Sequence, residues 1–461
     1  LAQSTKPNIV FIMADDLGYA DVSCYGQRDY ATPNIDRLAI EGLKFTQGYA
    51  NSPVCSATRV ALITGRYQYR LPVGLEEPIV PSSPRNAGLS SSHPTLPSLL
   101  KKVGYGTALV GKWHLGPLPD FSPLKSGYDQ FFGIFDGAAD YFNHGANALR
   151  LPDGRAFGQL YEQEVPVERH GYMTNLLGDR AVQTIEGYAR SREPFLLSLH
   201  FTAPHWPWEA PDDEAVSRRM RDIRDIFHWH GGSQRTYAAM VQSLDANVGR
   251  VLQALDASGL AGNTIVVFTS DNGGERFSDT WPFSGMKEEL LEGGLRVPSI
   301  VRWPARIAAG SVSEQVMATM DWMPTLLAAV GTSPDAAYRA DGEDLGPILT
   351  GRAAPRPRKL YWRYHAGSQR AIRDANWKYL RIAGNEFLFD VVADPRERAN
   401  LKGREKNVFD RLKADWEAWN ETMLPERPRP MRYGNHGPGL ADRYGVTNPA
   451  PAAPAASLPK K

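Results

Sequence analysis

Two acidic pairs and one cysteine are the residues of this chain best suited to chemistry. Asp15-Asp16 closes the apolar run Ile9-Val10-Phe11-Ile12-Met13, and Asp271-Asn272 closes Thr264-Ile265-Val266-Val267-Phe268-Thr269. Carboxylate and amide oxygens at such ends are the hard donors that Ca²⁺ takes, about six to eight of them at roughly 2.3–2.6 Å. Each pair also has a plainer reading, Asp15-Asp16 as a helix N-cap and Asp271-Asn272-Gly273-Gly274 as a turn. Cys55 and Arg59 stand one helical turn apart, so both side chains can face one pocket. Their plainer readings are a small buried hydrophobe and a salt-bridged helix arginine. Lys112 and His114, in Gly111-Lys112-Trp113-His114, offer a compact charge for an anion and a side chain that exchanges protons near neutral pH. His205 lies between prolines and aromatics in Ala203-Pro204-His205-Trp206-Pro207, and Lys287 follows Ser284-Gly285-Met286. Taken singly, these four also read as solvated lysines and packed loop histidines. Together, at strand ends near a candidate nucleophile, the two acidic pairs favour a metal over caps.

The elements that must carry these residues are legible as alternation. Besides the two runs above, Thr107-Ala108-Leu109-Val110 and Phe195-Leu196-Leu197-Ser198-Leu199-His200-Phe201 are short apolar stretches ending in polar tips. Helical stretches are predicted at Pro33–Gly42, Leu96–Val103, Met173–Arg190 and Thr236–Leu255. Strands alternating with helices predict an α/β fold whose large, mostly parallel sheet is covered on both faces. Ligands in such sheets sit beyond the carboxyl ends of the strands, where all four polar tips fall. A Pro/Arg-rich stretch around Arg356 marks a boundary. Beyond it, aromatic-rich runs at Lys359–His365, Gln369–Arg373, Trp377–Ile382 and Glu386–Val391 predict a small antiparallel sheet, with a helix near Glu405–Thr422. From Gly437 the composition turns Pro/Ala/Gly-rich. The predicted division is therefore 1–355 for the catalytic domain, 356–436 for the small sheet, and 437–461 for a tail.

Composition narrows the class. At 461 residues with 42% hydrophobic and 22% charged residues, the chain is an ordinary globular protein with room for one large core and an appended unit. A net charge of +1 gives no electrostatic case for nucleic acid or an anionic membrane. No stretch has the apolar length of a membrane span. The two cysteines, Cys24 and Cys55, make no disulfide framework. The chain starts Leu1-Ala2-Gln3, in keeping with a processed secretory product or a trimmed form, and a periplasmic or secreted location is the expectation.

Cys55-Ser56-Ala57-Thr58-Arg59, followed by Val60-Ala61-Leu62-Ile63-Thr64-Gly65-Arg66, resembles the maturation signal of the type I sulfatases. The resemblance extends over most of the chain: Pro7-Asn8-Ile9-Val10, Thr32-Pro33-Asn34-Ile35-Asp36-Arg37-Leu38-Ala39, Tyr49-Ala50, Gly104 to His114, Asp271-Asn272-Gly273 and Glu292-Gly293-Gly294-Leu295-Arg296-Val297-Pro298. The sequence thus resembles the arylsulfatase branch of the alkaline phosphatase superfamily. That resemblance implies an alkaline-phosphatase-like α/β/α sandwich and hydrolysis of a sulfate monoester, of a carbohydrate or an aryl alcohol. It implies one Ca²⁺ per chain on Asp15, Asp16, Asp271, Asn272 and the modified Cys55. It also implies conversion of Cys55 to formylglycine by a formylglycine-generating enzyme, with Arg59, Lys112, His114, His205 and Lys287 as the catalytic surround. In that scheme the aldehyde hydrate is the nucleophile, His205 and Lys287 serve the leaving oxygen, and His114 takes the proton that releases sulfate. Ala57 and Thr58 depart from the commonest form of the signal, Cys-x-Pro-Ser-Arg, which bears on how efficiently Cys55 is modified.

For the substrate, His144, Trp206 and Trp208 are the candidate contacts, with Tyr141 and Phe142 as further wall residues and His228-Trp229-His230 as a candidate lid. Loop packing is the alternative for each. The rival activity is a formylglycine-dependent phosphonate monoester or phosphodiester hydrolase, and the rival class is a non-catalytic sulfoglycan-binding protein.

Overall fold

The computed structural model describes residues 6–146, 148–151, 154–220, 231–382 and 384–426. The candidate lid at 228–230 and the tail lie outside them.

The main sheet has ten strands among the described residues: β1 (Asn8–Ala14), β2 (Leu43–Phe45), β3 (Gly106–Lys112), β4 (Gln130–Ile134), β5 (Leu160–Glu162), β6 (Val165–Pro166), β7 (Phe195–His200), β8 (Thr264–Ser270), β9 (Ser299–Arg302) and β10 (Ser311–Ser313). Their spatial order is β10-β2-β9-β8-β1-β7-β3-β4-β5-β6. The five central strands, β8-β1-β7-β3-β4, are mutually parallel. The four predicted apolar runs are β1, β3, β7 and β8. Continuous burial explains their continuous hydrophobicity, because a central parallel strand is covered on both faces.

Both layers of helices are present. Val10 and Ile12 of β1 pack into a core with α1 (Pro33–Ile40), while Ile9, Phe11 and Met13 pack into a second core with α2 (Cys55–Thr64) and α3 (Leu96–Lys102). The first core also takes α4 (Met173–Ser191) and α5 (Gln234–Ala257), and the second takes α6 (Trp322–Ala329). The helix starts follow local chemistry: Pro33 opens α1, a Thr95–Ser98 capping box opens α3, and Ser233 Oγ accepts the Thr236 N–H at the head of α5.

Beyond residue 355 the chain forms an antiparallel sheet of β11 (Lys359–Tyr364), β12 (Gln369–Asp374), β13 (Trp377–Ile382) and β14 (Asn385–Asp390). Helix α7 (Lys406–Glu421) packs on it through Leu412 and Trp416. The fold class is the one the sequence implied.

Candidate active site

Strand register places the reactive residues. In the parallel array Met13 pairs with His200, Ala14 with Ser270, and His200 with Gly111. Asp15, Asp271 and the loop carrying His205 therefore leave the sheet side by side, and Lys112 ends β3 next to them. Backbone bonds fasten these exits: Asp15 N–H donates to Ala203 O (3.1 Å) and Asp271 N–H to Ala14 O (3.2 Å). The next helical turn after Asp15-Asp16 is Ser23–Tyr25, whose cap position is Val22, which disposes of the N-cap reading. Asp16 instead has a φ of 63°, an uncommon conformation for a residue with a β-carbon. Its N–H donates to Asp271 Oδ1 (3.2 Å).

Cys55 is the first residue of α2, and Arg59 lies one turn on, both buried. Gly65, in the left-handed region at φ 66°, caps the other end. Ligand atoms of Asp15, Asp16, Cys55 and His205 all lie within 4.8 Å of one another. Around them, Lys112 Nζ donates to Asp15 Oδ2 (2.6 Å) and Lys287 Nζ to Asp16 Oδ2 (2.6 Å). Arg59 Nη2 donates to Asp271 Oδ2 (2.8 Å), and Asn272 Nδ2 to Asp16 Oδ1 (2.7 Å). The Cys55 sulfur stands 4.0 Å from Asp16 Oδ1.

Three carboxylates (Asp15, Asp16, Asp271) thus face three cations (Arg59, Lys112, Lys287) in a buried cluster. Burial raises carboxyl pKa values and opposite charge lowers them. For Asp15, burial dominates, helped by the negative charge of Asp271, and pushes the carboxyl up to about 8. For Asp16 burial is outweighed by Lys287, His205 and Lys112, which hold the carboxyl well below its usual range. Asp271 is also lowered, Arg59 and Lys112 overcoming burial. Burial pushes the Cys55 thiol far up, so the unmodified side chain is a neutral thiol and a poor nucleophile.

The two histidines are neutral for related reasons. His205 is lowered to about 3 by burial and by Lys287. Its Nδ1 sits 2.6 Å from Trp206 O, so the proton is on Nδ1 and Nε2 faces Asp16 Oδ2 at 3.5 Å. His114 is lowered well below its ordinary value by burial and by Lys112. Its Nε2 donates to Ile79 O (2.7 Å), which leaves Nδ1 as a buried lone pair with no hydrogen-bond partner.

A divalent ion fits this cup. Asp15 Oδ1 and Asn272 Oδ1 are buried oxygens without hydrogen-bond partners, and such atoms are costly unless something satisfies them. Both are hard donors of the kind Ca²⁺ takes.

The remaining candidates are distributed differently. Trp206 packs on His205, with ring centroids 5.1 Å apart. Trp208 meets Phe277 edge-on at 5.0 Å and carries Arg276 over its face. Tyr141 is fully buried, and its hydroxyl donates to Thr202 O and His205 O, both at 2.9 Å. It therefore braces the His205 loop from beneath. His144 is also fully buried, with Nε2 3.1 Å from Gly171 O. Its described bonds stay within its own loop region and do not reach the acidic cluster.

Sequence reasoning missed His200, whose Nδ1 lies 3.3 Å from Lys112 O, and the buried Glu275, whose carboxyl burial drives well up. It also missed Asp21, which accepts from Gly18 N–H (2.7 Å), Tyr237 OH (2.6 Å) and Asp279 N–H (2.8 Å). Asp21 thereby ties together the segments that follow β1 and β8. No spacing signal marks these residues, because tertiary contacts alone give them their parts.

Residues 7–332 match the Sulfatase family, and residues 286–421 match the C-terminal region described as N-sulphoglucosamine sulphohydrolase, C-terminal. The chain belongs to the sulfatase family. This sulfatase is 30% identical to arylsulfatase J of Mus musculus over 93% of its own length and 78% of that protein's. It is 36% identical to N-acetylgalactosamine-6-sulfatase of Homo sapiens, over 76% of its own length and 67% of that protein's. Among solved structures, Ps i-CgsB in complex with k-i-k-neocarrahexaose superimposes with a TM-score of 0.81 at 29% identity, covering 93% of this chain and 96% of that one. The protein is an enzyme of the sulfatase type, a hydrolase of sulfate monoesters.

Proposed function

We propose that this sulfatase cleaves a sulfate monoester of a carbohydrate, using formylglycine made from Cys55 by a formylglycine-generating enzyme. Calcium would be held by Asp15, Asp16, Asp271, Asn272 and residue 55. The observation that carries the reading is the cup itself: a nucleophile position within 4.8 Å of Asp15, Asp16 and His205, with Lys112 and Lys287 each 2.6 Å from an acid. Two relatives support the carbohydrate: one is named for N-acetylgalactosamine-6-sulfate chemistry and the other holds k-i-k-neocarrahexaose.

When present, the calcium ion supplies Lewis acidity and the formylglycine hydrate supplies the attacking hydroxyl. The chain's own residues do the rest. A bound divalent ion would ionise Asp15, so that three acids balance three cations and the ion's own charge leaves the cup positive, which would attract an anionic sulfate group. Arg59, Lys112 and Lys287 are preorganised to neutralise the sulfate oxygens, and burial strengthens each of them relative to water. Lys287 and His205 flank Asp16 Oδ2 together; Lys287 would donate to the leaving alcohol oxygen directly, and His205 would do so only after taking up a proton on Nε2. His114, neutral and with a free Nδ1 lone pair, is suited to accept the proton that accompanies sulfate release. The division at 355 into a catalytic domain and a small sheet belongs to the same proposal, and the small sheet's first strand, Lys359–Tyr364, supports it. A periplasmic or secreted location is part of the same proposal.

The test is a parallel rate comparison of matured protein on a sulfated galactan oligosaccharide, an aryl sulfate, a phosphodiester and a phosphonate monoester. Sulfate release should dominate kcat/KM. A phosphonate or phosphodiester rate exceeding both sulfate rates overturns the reading.

A further inference from the structure

Lys287 reaches the site from a loop, Ser284–Leu291, that belongs to neither sheet. A lysine is a flexible four-carbon stem, so its Nζ sits 2.6 Å from Asp16 only if its backbone is fixed. Bonds to the catalytic domain include Lys287 N–H to Gly274 O (2.8 Å), Glu288 N–H to Pro53 O (3.0 Å) and Gly293 N–H to Ser284 O (2.7 Å). Glu288 itself is held at φ 71°, a conformation uncommon for a residue with a β-carbon that persists only where its surroundings impose it.

A further restraint comes from the small sheet. Gln369, the first residue of β12 and only 3% exposed, inserts its amide into this loop. Its Nε2 donates to Glu288 O (2.7 Å) and its Oε1 accepts the Leu290 N–H (2.8 Å). A third bond, Nε2 to Ala366 O (3.1 Å), anchors the amide on its own side. We infer that Gln369 is a positioning residue for catalysis: by bridging Glu288 and Leu290 it holds the loop in the conformation that delivers Lys287 to Asp16. The small C-terminal sheet is then part of the catalytic apparatus, although it contributes no group to the cup.

A buried charge network beside the clamp stiffens the same connection. Lys378 of β13 donates to Glu292 Oε1 (2.9 Å) and lies 2.8 Å from Glu397 Oε1, while Glu397 Oε2 accepts the Glu292 N–H (2.6 Å). Arg296 Nε and Tyr49 OH hold the other oxygen of Glu292 at 2.7 and 2.6 Å. The loop is therefore tied to Gly274 at Lys287 and to this network at Glu292, and Gln369 holds the stretch between them.

The inference rests on the proposed part of Lys287, and its test separates the two. Full-length protein, matured with a formylglycine-generating enzyme, is compared as wild type, Gln369→Ala, Gln369→Glu, Lys287→Ala and the double variant Gln369→Ala/Lys287→Ala. Displacing a catalytic group by an ångström costs up to about 100-fold. Gln369→Ala should lower kcat about 30-fold while KM changes little, and the double variant should be no slower than Lys287→Ala alone. Gln369→Glu keeps the acceptor for Leu290 but loses the donor for Glu288, so its kcat should fall between wild type and Gln369→Ala. It also serves if the alanine variant does not fold. Hydrogen exchange at the Leu290 amide should quicken at least about tenfold in Gln369→Ala, the bond being lost, and stay slow in Lys287→Ala. Losses that multiply in the double variant, or an unchanged Leu290 exchange rate, overturn the inference. Full activity of Lys287→Ala refutes the catalytic part of Lys287 instead, and the exchange result alone then decides the clamp.

Discussion

At the scale of residues, the site is a set of buried charges that no side chain of the cup fully satisfies. Asp15 Oδ1 and Asn272 Oδ1 lack hydrogen-bond partners, and the acid at 15 is driven up to about 8 by burial and by Asp271. A bound divalent ion relieves both conditions, so it must stabilise the folded protein. Calcium at 100 times its dissociation constant should add about 2.7 kcal/mol. Thermal melts of chelated protein with and without added Ca²⁺ check this, and a melting temperature indifferent to calcium would contradict it. Most of the cup was legible from residue types at strand ends. The neutrality of His114 and His205 was not, because it arises from burial and from the lysines that the fold brings beside them.

At the scale of elements, the central strands must converge closely to bring four chain exits into one cup. Gly111 is where β3 permits it. With φ 113°, a β-carbon there would stand 1.8 Å from His200 O on the neighbouring strand. Gly111→Ala should destabilise the protein by about 3 kcal/mol or more, through both overlap and backbone strain, and shift Lys112 out of register with Asp15. Denaturant unfolding and sulfate release measure the two effects. The strands that carry the site were readable because burial on both faces leaves a continuous apolar run. The short outer strands Leu43–Phe45, Leu160–Glu162 and Ser311–Ser313 were not. Three residues show neither alternation nor a run, and their pairing is settled by their neighbours in space. The small sheet was readable from its aromatic runs and turn residues, but nothing in Gln369 as a sequence letter announces the bonds its amide makes.

At the scale of the whole molecule, the small sheet meets the rest of the chain through polar groups as well as apolar ones. Trp362 Nε1 donates to Ala50 O (2.9 Å), close to the nucleophile helix, and Lys378 lies fully buried between Glu292 and Glu397. Removing one member of such a network strands the others. Lys378→Met should cost about 3–5 kcal/mol of stability, read by denaturant unfolding, and a loss below about 1 kcal/mol would show that the network is not a junction. The central claim for the molecule as a whole is that position 55 becomes the nucleophile. Mass spectrometry of the tryptic peptide Phe45–Arg59, run on the preparation whose sulfate-ester turnover is measured, tests it most directly. The account predicts a peptide lighter than its cysteine form, with turnover proportional to the lighter fraction and absent in Cys55→Ala protein that melts normally. Full turnover from protein carrying only unmodified cysteine at position 55 would contradict it.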